Sequence, residues 1–128
     1  MPIIELDHLI VAVRGARRAA EQLAAVLDVP WSPTGVGPFC PVYVNHHLTL
    51  DFDEAEGEPP VLHYAFAVDD AAFDAIVSRL ASMGIAYRGT PHGPDDGQIN
   101  TAHGGRIVYW SEPGGPVWEA LTVSYARR

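Results

Sequence analysis

The sequence predicts an α+β fold built from two βαβββ modules, with a curved mixed sheet around a central cleft and the helices outside. Three observations predict it: an internal repeat, strands that are apolar at nearly every position, and a helical stripe after each leading strand. "LDHLIVAVRGARRAAEQLAAVL" from Leu6 and "VLHYAFAVDDAAFDAIVSRLAS" from Val61 read as one unit written twice. In that alignment His8 meets His63, Ala12 meets Ala67, Val13 meets Val68, Ala16 meets Ala71 and Ala20 meets Ala75. Identities at small residues weigh little alone, but the secondary-structure signals repeat with them. A chain of 128 residues holds one ordinary domain core. The modules, about 1–55 and 56–128, are therefore expected to share a single domain.

Each unit opens on a strand whose continuous apolar character fits burial on both faces. With period two, His8, Ile10 and Ala12 oppose Leu9, Val11 and Val13 in the first unit. In the second, His63, Ala65 and Ala67 oppose the bulkier Tyr64, Phe66 and Val68. The larger face is expected to pack on a helix and the smaller one to leave room. An alanine-rich helix follows over roughly Ala16 to Leu27 and ends before Pro30. The second helix is marked by Asp69 or Asp70 as cap, by the stripe Phe73, Ile76, Val77 and Leu80, and by Gly84 as terminator. Shorter strands are expected at Phe39 to Val44 and Leu48 to Phe52, then at Ile85 to Tyr87, Ile107 to Trp110 and Val117 to Tyr125. The first half thus shows one strand fewer than the second. "EPGG" from Glu112 is a turn between the last pair. The Gly/Pro-rich stretches "PWSPTGVGPFCP" and "RGTPHGPDDGQINTAHGG" read as loops, either binding loops or plain connectors.

Composition narrows the function classes. Hydrophobic residues make up 48% and charged residues 19%, which excludes a disordered or low-complexity chain. The formal net charge of −8 argues against nucleic acid, whose phosphates repel acidic faces. No apolar run approaches the ~20 residues that cross a bilayer, and "MPIIELDHLI" lacks the pattern of a secretory leader, so no membrane association and a cytoplasmic location are expected. The one cysteine, Cys40, cannot form an internal disulfide and reads as a buried structural thiol.

The chemistry lies in histidines and carboxylates placed among apolar residues. One histidine on an apolar face is more often a core residue bonded to backbone, but His8 and His63 recur at the same place in both units. A pair of neutral imidazoles on the roomier faces of related strands is a natural metal-binding element. Glu119 in "GPVWEALTV" is costly to bury unless a cation or strong hydrogen bonds compensate it. Its competing reading is a solvent-facing residue on an edge strand. Two histidines and one carboxylate form the facial triad typical of iron, which manganese, zinc or nickel can also occupy. Asp51 lies on the corresponding strand of the first unit as a candidate fourth oxygen, although Thr49 shares its parity. His46 and His47 read as a hairpin tip and His92 as a loop residue, all in solvent. Trp31, Phe39, Tyr43 and Trp110 fit either a pocket for a flat ligand or core packing.

Paired modules with histidine on each first strand, and "EPGGPVWE" where a D-P-x-G turn often precedes a glutamate, resemble the vicinal oxygen chelate superfamily. That group includes glyoxalase I, extradiol ring-cleaving dioxygenases and the bleomycin-resistance proteins. The resemblance covers nearly the whole chain and implies His8, His63 and Glu119 as ligands of a divalent metal. "TAHGGRIVYWSEPGGPVWE" is similar to the extradiol dioxygenase signature, with His103, Val108, Tyr109, Glu112, Pro113, Gly115 and Glu119 in the matching slots. Only Gly104 to Ile107 separate His103 from Val108, fewer residues than that signature usually has. Tyr109 is thereby implied as an acid–base group near the substrate, and His103 as either a second such group or a loop histidine in solvent. The resemblance implies a small substrate that chelates the metal through two neighbouring oxygens, in a homodimeric enzyme of dioxygenase or glyoxalase type. The rival within the same superfamily is a metal-free binding protein of the bleomycin-resistance type, for which an acidic chain with several aromatics would suit a cationic ligand.

Overall fold

In the computed structural model, which describes residues 2–113 and 115–127, the first unit opens with β1 (His8–Val13) and α1 (Ala16–Leu27). They are followed by β2 (Cys40–Tyr43) and β3 (Thr49–Glu54). The second unit holds β4 (His63–Ala67), α2 (Asp70–Ser82), β5 (Ile107–Ser111) and β6 (Val117–Leu121). The chain packs as two compact units, 1–60 and 61–128. Each carries a three-stranded mixed sheet, in the orders β1-β3-β2 and β4-β6-β5. The first strand of each unit runs parallel to its central neighbour and the remaining pair is antiparallel. This is the α+β fold with two repeated modules that the sequence predicts.

In the first unit Val11, Val13, Leu50 and Phe52 are buried, and α1 buries Ala19, Ala20, Leu23 and Val26. Each large aliphatic or aromatic side chain removed from water contributes about 1.5–3 kcal/mol, which is why the alternating face of the strands decides their register. Gly15 precedes α1 in the left-handed region, with φ 76°, and has no side chain to cap the helix. Glu54, at the end of β3, takes over: its carboxylate accepts from the amides of Gly15 (2.8 Å) and Ala16 (2.9 Å). The second helix is capped locally, Asp69 accepting from the Ala72 amide at 2.8 Å. It ends as expected, with Gly84 at φ 68° and the Ile85 amide closing on the Leu80 carbonyl.

Two strand expectations are corrected. The segment Ile85–Tyr87 does not form a strand; only Arg88 touches the sheet, in an isolated bridge to Tyr109. Pro91 and Pro94 have no amide hydrogen to extend a ladder and Gly89 weakens one, so the pairing stops after one residue. The first unit has the same feature in the bridge from Trp31 to Val42, which Pro30 and Pro33 confine in the same way. Among the described residues both halves therefore have three strands, with one isolated bridge in the first and two in the second, where Asn100 also pairs with Ile107, and the first is not a strand short. β6 ends at Leu121, before the predicted Tyr125; at Thr122 the amide still donates to the Arg106 carbonyl (3.0 Å), but the Arg106 amide turns to the Thr122 side-chain oxygen (2.9 Å). In the turn after β5, the Glu112 amide donates to Pro116 and the Gly115 amide to Glu112, while Gly114 lies outside the described residues. No helix among the described residues is long and apolar enough to cross a membrane.

Candidate functional site

Glu119 sits in the middle of β6, the central strand of its sheet, between Trp118 and Ala120. Every residue of that strand is buried, and Glu119 is 0% exposed. The solvent-facing reading of this residue is thus corrected: a central strand covered on both faces leaves no wet side. Strand pairing brings Tyr109 of β5 directly opposite Glu119, and Ala65 of β4 on the other side, two residues beyond His63. From there the imidazole reaches across, and His63 Nε2 lies 2.5 Å from Glu119 Oε1. The same oxygen accepts a hydrogen bond of 2.8 Å from the phenol of Tyr125. The other oxygen, Oε2, is buried without a hydrogen-bond partner. A buried carboxylate oxygen left bare costs free energy that a folded protein usually avoids, so a missing donor or cation is implied.

Tyr109 forms the wall of this site. Its ring meets that of His63 edge-on, 5.7 Å between centroids, and it is 5% exposed. Burial, reinforced by the negative charge of Glu119, pushes the Tyr109 phenol above its ordinary pKa. Burial and the Glu119 carboxylate push Tyr125 up further. Both phenols therefore keep their protons through the neutral range. His103 is exposed on the loop before β5 and lies against Tyr125, with centroids 5.5 Å apart.

The first unit presents the counterpart set. Register places Asp51 two residues beyond the partner of His8, as Glu119 is two beyond the partner of His63. Asp51, not Thr49, is therefore the structural equivalent of Glu119. His8 and Asp51 line a cavity of about 520 Å³ with Phe39, Tyr43 and Thr49. His8 is exposed, and a hydrogen bond from its Nδ1 side to Asp7 (2.8 Å) raises its pKa. Of the other sequence candidates, His46 and His92 are exposed. His47 pairs with Glu5 at 3.2 Å in a hairpin loop whose amides bond to Asn45. Cys40 is buried, and Trp110 is buried in the core.

Among the described residues, no three or more His, Cys, Asp or Glu side chains gather where they could hold a metal ion. In the second unit the pair of His63 and Glu119 fits a cation: a neutral nitrogen ligand, a carboxylate beside it and a bare buried oxygen are the donor set and the unmet charge that a divalent ion would satisfy. The residue that sequence reasoning missed is Tyr125. No strand periodicity marks it, since β6 ends at Leu121 and Tyr125 reaches Glu119 from the turn beyond.

No protein-family model matches the sequence, and no curated protein matches it. Solved structures do. Oxidase ChaP-H2 is 36% identical over 95% of this chain and 95% of its own, with a TM-score of 0.88. Oxidase ChaP-H1 is 39% identical over 96% of this chain and 98% of its own, with a TM-score of 0.87. The fosfomycin resistance protein FosX from Mesorhizobium loti shares the fold at 21% identity, covering 99% and 98% of the two chains at a TM-score of 0.71. Identity of this order along almost the entire length of both oxidases, on the repeated-module fold described above, makes the chain a member of the vicinal oxygen chelate superfamily.

Proposed function

We propose that this protein is a metal-dependent oxidase of the superfamily, of the dioxygenase type rather than the glyoxalase type, acting on a small substrate that offers two neighbouring oxygens. The observation that carries the reading is the bare, fully buried Oε2 of Glu119 beside the His63 imidazole. The two oxidases, at 36% and 39% identity, favour oxidative chemistry over isomerisation. His63 and Glu119 are proposed as ligands, with His8 completing the set and Asp51 available as a fourth oxygen. When bound, a divalent iron, manganese, zinc or nickel ion supplies Lewis-acid stabilisation of charge on the substrate oxygens and, in the case of iron, redox chemistry with dioxygen.

The residues of the chain do the rest. Glu119, itself 0% exposed, neutralises positive charge where a carboxylate acts at short range with little screening, while His63 beside it is open to solvent. Tyr109, protonated and walled in by the sheet, donates a hydrogen bond or a proton to a substrate oxygen beside His63. His103, exposed on its loop, is the group placed to exchange protons with solvent. The substrate is a small molecule and not nucleic acid, since the net charge is −8. A cytoplasmic homodimer is the setting this reading implies. A metal-free binding protein of the bleomycin-resistance type is disfavoured because nothing in such a role requires a bare buried carboxylate on the central strand.

Elemental analysis of untagged protein tests the proposal, alongside His63→Ala and Glu119→Ala. The expected result is near-stoichiometric metal in the native chain and its loss in both variants. No metal in the native chain, with no thermal shift on adding these ions, would leave the binding-protein reading as the better one.

A further inference from the structure

Tyr125 lies beyond the end of β6, and no strand pairing or helical contact requires a phenol there. After Leu121 the chain turns, and the Tyr125 ring packs back on the cluster of Ile107, Tyr109, Val117 and Leu121. His103 covers the ring from the loop, 5.5 Å between centroids. Held between these groups, the hydroxyl points at Oε1 of Glu119 at 2.8 Å. His63 and Tyr125 thus both bond to Oε1, and although the Tyr109 phenol stands beside the same carboxylate, Oε2 has no hydrogen-bond partner. A core built only for stability would divide the donors between the oxygens, because each buried lone pair left bare costs about 1–3 kcal/mol.

Resting on the reading of Glu119 as a metal ligand, we infer that Tyr125 is a positioning residue that fixes the Glu119 carboxylate and sets aside Oε2 for the cation. The phenol does this by a charge-assisted hydrogen bond, which is directional and about twice as strong as a neutral one. A phenol is an O–H donor at neutral pH, and the packing of the ring aims that donor at Oε1, which holds the carboxylate in one orientation. Groups that hydrogen-bond a metal ligand from outside typically change metal affinity about 10–100-fold when removed. His103 acts on the site through the ring of Tyr125, which gives that loop histidine a second role alongside proton exchange.

The test is a competition titration of Co²⁺ and Zn²⁺ into the native protein, Tyr125→Phe and Glu119→Ala, with the visible spectrum of the Co²⁺ forms recorded. Tyr125→Phe keeps the ring and its packing, so the metal-free melting temperature should change little. The expected result is about tenfold or greater weakening of metal binding in Tyr125→Phe, with an altered Co²⁺ spectrum that reports a changed carboxylate geometry. Affinity within twofold of the native protein and a superimposable spectrum would overturn the inference, and loss of binding in Glu119→Ala would show that the metal-ligand reading itself still stands. Absence of binding in the native protein would overturn both. Should Tyr125→Phe be poorly folded, Tyr125→Leu removes the hydroxyl while keeping apolar contact, and its metal affinity is read against the same two limits.

Discussion

In the first unit the leading histidine is satisfied by its own neighbour: His8 meets Asp7 in solvent, and the carboxylate in register with it, Asp51, is only half-buried at a cavity wall. In the second unit His63 meets a carboxylate from the central strand that is 0% exposed. The backbone register is the same in both, two residues beyond the partner of the histidine. What differs is the cover. Tyr109 and Tyr125 close over Glu119, whereas the corresponding side of the first sheet opens to the 520 Å³ cavity. One scaffold thus leaves its carboxylate half-open at a cavity wall in one copy and fully buried beneath an exposed histidine in the other. Duplication of the backbone register therefore does not duplicate the environment of the carboxylate it positions.

The largest effect expected from a single change concerns the bridge residues that stand at equivalent places, Arg88 and Trp31. Arg88 is 4% exposed and donates to the carbonyls of Thr90 and Pro91, to Asp95 and to Ser111, so its guanidinium ties the long loop to β5. Its backbone exchanges two hydrogen bonds with Tyr109, the wall of the site. Arg88→Ala is expected to cost about 3 kcal/mol, since it removes a buried guanidinium and its four hydrogen bonds at once. Trp31→Ala, at a half-buried position, should cost about 2 kcal/mol or less. Urea denaturation of both variants makes the comparison. Equal losses would mean that the loop of the second unit is held by packing and not by the arginine.

Glu119 and Asp51 sharpen the contrast in the opposite sense. A carboxylate buried with one bare oxygen destabilises the metal-free protein, so Glu119→Leu is expected to stabilise it by about 1–2 kcal/mol while abolishing metal binding. Asp51→Leu, at a position water still reaches, should fall within about 0.5 kcal/mol of the native chain. Thermal unfolding in the presence of a chelator measures both. A Glu119→Leu protein less stable than the native one would show that the hydrogen bonds from His63 and Tyr125 already compensate the charge.

Much of this arrangement is legible in the sequence because it is periodic. The alternation His8, Ile10, Ala12 against Leu9, Val11, Val13 places the histidine face, and Val11 and Val13 are indeed fully buried. The limits of α1 follow from alanine spacing and Pro30. Periodicity cannot choose between Thr49 and Asp51, which share parity; only the register of β1 on β3 does so. It also promotes the apolar run Ile85–Tyr87 to a strand, because nothing local shows that Arg88 will anchor a loop there instead. Tyr125 is hidden for a related reason. Its contact with Glu119 is made by a turn after the strand has ended, and turns report where the chain reverses, not where it returns.

The smallest expected effect separates the two helix caps. Asp69 caps α2 from the adjacent residue, whereas α1, begun by Gly15, borrows its cap from Glu54, distant in sequence but paired with Val13 at the same end of the sheet. Asp69→Ala should cost about 1 kcal/mol, the usual value for a local cap. Glu54→Ala should cost about 0.5–1 kcal/mol, the lower part of that range, because the carboxylate is exposed and screened. The amide of Ala16, then that of Gly15, lowers the Glu54 pKa below the ordinary 4.5. A carboxyl whose pKa is depressed on folding contributes stability that is fully present above 4.5 and is lost as pH falls through the lowered folded value. The gap between native and Glu54→Ala stabilities should therefore be constant from neutral pH down to about 5 and close in more acidic solution. Urea midpoints at a series of pH values follow it. A gap that persists at the acid end would mean that Glu54 supports α1 by packing, and that the borrowed cap is not electrostatic. Because Glu54 joins the last residue of β3 to the first turn of α1, the same series measures how firmly the first helix is tied to the sheet that carries His8 and Asp51.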